Sequence, residues 1–443
     1  MVSTTRGFLP RQEPLIELPS EFAALESLLQ RLPIKTASGS PGLLAKGLLG
    51  EVVDKEFPNL ISAVKKYEKN QVVLNALYRD YSFLASSYLL EPCHHEFLAT
   101  GKYGLARSVL PACISVPIVE VAKFDWGVLG FQPFMEYAGS YALFNYRLLK
   151  PEGGLHYDNL AIIRAFEHGL DRESSEAGFI LVHVDMVQHS GGLIDGAVKA
   201  IKACEGNVDH EAFRDGLRQV LNTLRIINAK MEQMWSKSKP NDYTSFRTFI
   251  FGITSQSMFP NGVVYEGVSE TPLSFRGESG ANDSMIPLCD NLLQISMPET
   301  PLTKILEDFR QYRPGNHREF LEWVKASAST VGVKDFALTN PQSAALYLLC
   351  LDQVRDFRWR HWCFTREYIL KKTSHPTATG GSPIVRWLPN QLQTVLKLET
   401  EVIKKLREMN HITKEVEPVC ELVAKQIVKL ESEVKKFCEE RNA

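Results

Sequence analysis

The chemical question is set by a short segment in which Phe357, His361, Phe364 and Tyr368 recur at steps of four, three and four. That spacing puts all of them on one face of a helix. An imidazole on an apolar face can aim a ring nitrogen into a dry cavity, which is the arrangement a haem iron takes from its proximal ligand. Alone the pattern is weak, because a single histidine on such a face is more often a hydrogen-bonded core residue. Asp290, in Leu288-Cys-Asp-Asn-Leu-Leu293, needs a partner if it is buried, and Arg358, one turn before His361, can supply it. The alternative is a surface aspartate.

Other segments carry chemistry of their own. Phe275-Arg-Gly-Glu-Ser-Gly-Ala-Asn-Asp-Ser284 is a Gly/Ser-rich loop leading into an apolar helix. Such loops let the backbone approach a flat cofactor or an anion, but no phosphate-loop spacing is present. The plainer reading is a helix start capped by Ser279 or Asp283. Arg247 lies in Tyr243-Thr-Ser-Phe-Arg-Thr-Phe-Ile-Phe-Gly252. A guanidinium among aromatic residues is costly unless it binds an anion or pairs with a carboxylate. A bidentate grip on a substrate carboxylate suits its fork. Thr379-Gly-Gly-Ser382 reads as a lid over a pocket or as a linker between helices. His183, two residues before Asp185, reads as a distal-pocket base or hydrogen-bond partner, or as a satisfied core residue. His317 competes with His361, but Pro314 and Gly315 before it suggest a helix start and a more exposed ring. No G-x-S-x-G elbow occurs, so a Ser-His-Asp triad is not supported.

The elements that must position these groups read as helices. Leu60, Val64 and Tyr67, and later Leu77, Tyr81 and Leu84, are spaced by threes and fours, and Phe213, Leu217, Val220, Leu224, Ile227 and Met231 form an unbroken helical stripe. Residues 1–40, rich in Pro and Ser, read as a loosely ordered lead-in, with a short helix from Glu21 to Leu32. Val109 to Val121 is apolar and is expected to break at Pro111 and Pro117, and Phe131 to Leu149 reads as an aromatic-rich helix. Gly178 to His189 fits a buried strand or a buried helix equally well. Leu392 to Phe437 reads as amphipathic helix interrupted at Pro418 and packed on the body; a partner-binding coiled coil is the less favoured reading.

Composition bounds the rest. The 443 residues, 44% hydrophobic and 23% charged, suit one large or two modest globular domains. A net charge of −2 points away from nucleic acid. No apolar run reaches the roughly 18 residues of a membrane span. The N-terminus lacks the apolar core of a signal peptide. The eight cysteines are scattered without a CxxC pair, which suggests reduced thiols in a cytoplasmic enzyme rather than zinc or disulfide frameworks.

Taken in order, these segments resemble the indoleamine 2,3-dioxygenase family. The resemblance runs from about residue 110 to 390 through Leu110-Pro-Ala-Cys-Ile-Ser-Val-Pro117, Tyr137-Ala138, Gly178-Phe179, Phe246-Arg247 and Val264-Tyr-Glu-Gly267. It continues through the Gly277–Ser284 loop with Asp290, Pro314 to Phe320, Arg358-x-x-His361 with Tyr368-Ile-Leu370, and Thr379-Gly-Gly381. It implies an all-α fold, with a small N-terminal helical domain (1–155) and a large helical domain (156–443) that encloses haem b. It further implies His361 as the axial iron ligand, with Arg358, Asp290, Gly277 and Gly280 on the haem side. Arg247 would bind the substrate carboxylate. Tyr137, Phe179 and Tyr243 would line the substrate pocket, and Thr379 would belong to a mobile loop closing on the substrate amino acid. Ser279 and His183 would stand over the haem as catalytic groups.

The implied reaction inserts O₂ across the indole C2–C3 bond of L-tryptophan to give N-formylkynurenine. Its partners are that small molecule or a related indole, O₂ and an external reductant, in a monomer that binds neither nucleic acid nor membrane. The chain also departs from the family. Family members carry two aromatic residues before the substrate arginine where this chain has Asp242 and Tyr243; a loop glycine is Glu278; and the distal serine is His183. A distal histidine is found in the related tryptophan 2,3-dioxygenases, where it meets the indole N–H, and in haem aromatic hydroxylases of the same superfamily. The alternatives are therefore an oxygenase or hydroxylase acting on another indole or phenol, or a non-catalytic haem-binding paralogue.

Overall fold

Helix is what the three-and-four apolar spacing dictates, and helix dominates the computed structural model, which describes residues 1–441 apart from 126–129, 170, 207–208, 298, 300, 374, 376 and 383. Among the described residues the strands are short pairs only. Val109–Leu110 runs parallel to Val264–Tyr265, and Tyr146–Leu148 runs antiparallel to Leu160–Ile162. The fold is all-α. All eight cysteines are free thiols, and among the described residues no helix is long and apolar enough to cross a membrane.

The stripe from Phe213 to Met231 forms His210–Glu232, whose first turn is capped by the Asp209 carboxylate accepting from the Glu211 and Ala212 amides. This helix lies against Gly191–Ala203 at a backbone-to-backbone crossing. A Cβ on Gly196 would stand 2.9 Å from the Gly216 carbonyl oxygen, so both positions need glycine. On another side it meets Pro341–Phe364, the helix that carries His361, where the Asn228 amide donates to the Gln353 carbonyl at 3.0 Å. The ambiguous apolar run is helical over Ser175–Val187, started by the Ser174 hydroxyl accepting from the Ala177 amide.

Several expectations are corrected. Phe131 to Leu149 is not one helix: only Tyr137–Tyr141 turns, with π-helical bonding, before the chain extends. The cause is local competition for the backbone. The Ser140 hydroxyl accepts from the Glu136 amide at 2.9 Å and the Asn145 side chain donates to the Tyr141 carbonyl at 3.1 Å, while Asn145 also ties the segment to the backbone of Arg164. Pro117 does not break its segment, since Ala112–Asp125 runs through it. The C-terminal break falls before Pro418, between Ile384–Glu408 and Glu417–Arg441. Pro418 sits in a first helical turn, where its missing N–H removes no intrahelical bond. The N-terminal lead-in is packed rather than loose: Phe8 and Leu9 are fully buried, and the Phe8 amide donates to Ser190 Oγ at 3.0 Å.

The last helix braces the one that carries His361. Trp362 Nε1 donates to Glu433 at 2.7 Å, and Arg366 Nη1 bonds the same carboxylate at 2.8 Å. Elsewhere a buried ion cluster joins segments distant in sequence. The Asp80 carboxylate, on Gln71–Thr100, accepts from Arg79 Nε at 2.8 Å and from Arg164 Nε and Nη2 at 2.9 and 2.8 Å. Arg164 also grips Glu26, and Arg79 reaches the carbonyls of Leu15 and Phe144. Burial alone would raise the Asp80 carboxyl; the guanidiniums of Arg164 and Arg79 outweigh it and hold it below the usual carboxylate range. Asp80→Asn leaves two buried guanidiniums short of a counter-charge and is expected to cost about 3–5 kcal/mol in urea unfolding. A loss under about 1 kcal/mol would show that the cluster does not hold these segments together.

Candidate functional site

His361 stands one turn from the end of Pro341–Phe364, which continues as a π-helical turn over Thr365–Leu370. The wider turn advances Tyr368 so that its hydroxyl reaches the Met234 carbonyl at 3.2 Å and also bonds the Ser238 carbonyl. His361 opens onto a cavity of about 590 Å³, and no described residue hydrogen-bonds its ring. Burial first, then the neighbouring charges of His183 and Arg358, lowers the imidazole to about 4, so it is neutral with a lone pair available. Arg358 and Asp290 line the same cavity, and their pair is bidentate, Nη1–Oδ1 at 2.9 Å and Nη2–Oδ2 at 2.6 Å. Asp290 is therefore an internal counter-charge rather than a surface residue.

The Gly/Ser-rich loop forms the cavity's other side. Gly280 lines it with nothing near its Cβ direction, whereas Gly277 does not; it is pressed on Gly252, whose backbone nitrogen lies 2.2 Å from where a Gly277 Cβ would be. The cap on the apolar helix is Asp283, while Ser279 caps the short turn Gly280–Asn282 before it. Ser279 Oγ accepts from the Ala281 amide at 3.3 Å, and Asp283 Oδ2 accepts from the Met285 amide at 2.9 Å at the head of Met285–Leu292. His317 is corrected. Its helix does start at Gly315, but the ring is buried, with Nδ1 2.9 Å from Ser284 Oγ and Phe8 packed on it.

The remaining candidates gather in a second group that does not line this cavity. Phe179 packs tilted against His183 with centroids 4.8 Å apart, Tyr137 meets His183 at 5.8 Å, and Tyr243 meets Phe179 at 5.6 Å. His183 Nδ1 lies 2.7 Å from the Phe179 carbonyl, an acceptor only, so Nδ1 carries the proton. Burial lowers the imidazole and outweighs that bond, leaving Nε2 as an unprotonated acceptor. His361 senses His183 of this second group electrostatically. Arg247 is fully buried, with its guanidinium 4.6 Å over the Phe251 ring. Its Nη2 donates to the Thr377 carbonyl at 3.1 Å, while Nε and Nη1 have no hydrogen-bond partner; the Tyr243 hydroxyl lies alongside. The Tyr137 hydroxyl is likewise buried and unpartnered.

The Thr379-Gly-Gly381 loop is closed. Thr379 Oγ1 donates to the Glu278 carbonyl at 2.7 Å, the Gly252 amide donates to the Thr379 carbonyl at 2.9 Å, and Arg276 Nη1 donates to the Gly380 carbonyl at 3.0 Å. Two sets of residues escaped the sequence reading. Gln256 holds the loop by accepting from Thr377 Oγ1 at 2.9 Å and donating to the Ala378 carbonyl at 2.7 Å, with no sequence signal at all. Arg313 lines the cavity with its Nε unpartnered. In sequence, its Arg-Pro-Gly segment signals only a helix start.

These residues fit a haem. One neutral imidazole without a partner suits an axial ligand, Arg313 and Arg358 suit its carboxylates, and Gly280, Ile286, Phe357 and Leu388 give the cavity side-chain-free or apolar walls.

Comparison with known proteins agrees. Residues 1–418 match the family model described as indoleamine 2,3-dioxygenase. The chain is 25% identical over 374 residues to indoleamine 2,3-dioxygenase 1 of Mus musculus, covering 83% of each chain. It is 26% identical over 411 residues to indoleamine 2,3-dioxygenase of Saccharomyces cerevisiae, covering 87% of this chain and 82% of that one. It is also 25% identical over 393 residues to a 6-hydroxytryptophan 2,3-dioxygenase of Fusarium equiseti, covering 86% and 88%.

His361→Ala is expected to abolish stable haem loading, read as loss of the Soret band in protein that keeps its helical circular dichroism. A normal Soret band in that variant would remove His361 as the axial ligand.

Proposed function

Because the chain belongs to the indoleamine 2,3-dioxygenase family and is thus a haem-dependent dioxygenase, we propose that it inserts O₂ across the indole C2–C3 bond of L-tryptophan, giving N-formylkynurenine. The observation that carries the substrate reading is Arg247, a fully buried guanidinium with two N–H groups unpartnered beside an aromatic cluster. Leaving such donors unsatisfied costs about 1–3 kcal/mol each, and a substrate carboxylate removes that cost. Phe179 and Tyr243 offer ring faces to a flat indole, and His183 Nε2 offers an acceptor for its N–H. Haem, when held by His361, supplies the ferrous iron at which O₂ is activated. Both oxygen atoms end in the product, so the protein needs no general base. Its work is to orient the indole, grip the carboxylate and exclude water. Thr379 supports exclusion by holding its loop down on the Glu278 carbonyl, with Ser279 beneath Gly380.

In this reading residues 1–155 contribute the Tyr137 wall and residues 156–443 hold the haem beside Gly280, Asp290 and Arg358. Every group comes from one chain, so a monomer suffices, with an external reductant to keep the iron ferrous. A second reading, a ring-hydroxylated indole, is favoured by the buried and unpartnered Tyr137 hydroxyl, which a substrate hydroxyl would satisfy.

Aerobic turnover of the reduced holoenzyme with L-tryptophan is expected to produce N-formylkynurenine absorbance in the near ultraviolet. Silence with haem loaded would overturn the tryptophan reading, and turnover of 6-hydroxytryptophan alone would establish the second. Arg247→Ala is expected to raise KM for the amino acid by about 10- to 100-fold with the Soret band unchanged. Unaltered KM would refute the carboxylate role.

A further inference from the structure

His375 is not among the groups that the proposed reaction uses, yet its ring is tied into the segment on which Arg247 rests. Its Nε2 stands 3.0 Å from Gln256 Oε1 and 2.9 Å from Thr377 Oγ1, and the Thr377 hydroxyl donates to the same Gln256 oxygen at 2.9 Å. The protons can be placed. The Gln256 side-chain nitrogen donates to the carbonyls of Ala378 at 2.7 Å and Thr379 at 3.3 Å, so the amide oxygen is the atom that faces His375. An amide oxygen only accepts, so Nε2 carries the proton. Burial, and then the charge of Arg247, lowers the imidazole to about 4, so at neutral pH the ring is uncharged.

Thr377 joins this triangle to Arg247. Its side chain belongs to the triangle, and its carbonyl accepts from Arg247 Nη2 at 3.1 Å. Phe251 is a second link. The Arg247 guanidinium lies 4.6 Å over the Phe251 ring, and the His375 ring meets the same phenyl edge-on at 5.2 Å. Tyr103 packs edge-on against both Phe251 and His375, at 5.0 and 5.2 Å. A planar guanidinium fixed at one N–H and on one face has its other N–H groups fixed as well. Those are Nε and Nη1, the two without a hydrogen-bond partner.

We propose that His375 is the positioning residue for Arg247, holding Thr377 and Phe251 so that the guanidinium presents its two free N–H groups to a substrate carboxylate. The proposal rests on the carboxylate role given to Arg247 above and identifies what aims it. His375 moves no proton to or from the substrate; it acts through Arg247.

The test is calorimetric binding to the holoenzyme, comparing L-tryptophan with tryptamine, which lacks only the carboxylate. The unmodified protein is expected to favour L-tryptophan by about tenfold or more. His375→Ala is expected to weaken L-tryptophan by about tenfold while tryptamine stays within about twofold. His375→Gln, whose side-chain amide can donate in place of Nε2, is expected to recover most of that loss. Equal weakening of both ligands, weakening of neither, or a glutamine variant no better than alanine overturns the proposal. Arg247→Ala on the same pair separates that result from failure of the carboxylate reading. If it erases the preference while His375→Ala keeps it, Arg247 retains its role and only the positioning falls. If Arg247→Ala leaves the preference intact, or the unmodified protein has none, the carboxylate reading falls and takes the proposal with it. If neither ligand binds, a crystal structure of His375→Ala decides: Arg247 Nη2 still on the Thr377 carbonyl overturns the proposal, and its release upholds it. Should His375→Ala fail to load haem, Thr377→Val, which removes the hydroxyl and keeps the carbonyl, is measured in its place with the same readings.

Discussion

The bidentate pair between Arg358 and Asp290 is the interaction on which the site depends. It ties Pro341–Phe364 to Met285–Leu292 across the cavity. One turn separates Arg358 from His361, so fixing the guanidinium fixes the rotation of the helix and with it the direction of the imidazole. Two parallel hydrogen bonds define a plane, which a single lysine contact would not. The C-terminal helix secures the same element from behind through Glu433, which bonds both Trp362 and Arg366. The amphipathic tail therefore serves as a brace for the ligand helix.

Beside the His361 cavity lies a region of different character. It is aromatic, with His183, Tyr137, Phe179 and Tyr243 in ring contact, and its polar groups are unusually short of partners. Folded proteins rarely leave a guanidinium and a phenol buried and unsatisfied. In the proposed function, Arg247 is where such a group meets a substrate carboxylate. The closed Thr379 loop is held beside it by Gln256, Arg276 and the Glu278 carbonyl.

Much of this was legible in the chain. The stripe from Phe213 to Met231 is helical because its period is set by local geometry, and the Ser279 and Asp283 caps were readable because capping is a contact across two or three residues. Readings failed where distant or side-chain bonds overruled the local pattern. Phe131 to Leu149 has a helical stripe, yet the Ser140 and Asn145 side chains take the Glu136 amide and the Tyr141 carbonyl. His317 follows a helix start but is covered by Phe8, more than three hundred residues earlier in the chain. Gln256 had no signal, because one glutamine in a polar stretch looks like any other.

By itself, then, the sequence determined the helical faces, the place of His361 on one of them, and the kinds of group available to hold a haem and a carboxylate. Spacing along a chain is enough for that, since helix geometry converts it directly into a shared face. Only the tertiary structure decided which polar groups would be left without partners. Whether Asp290 finds Arg358 and whether Arg247 keeps two free N–H groups both depend on segments remote in sequence. Desolvation, the force that makes such groups costly and therefore informative, exists only once those segments have packed.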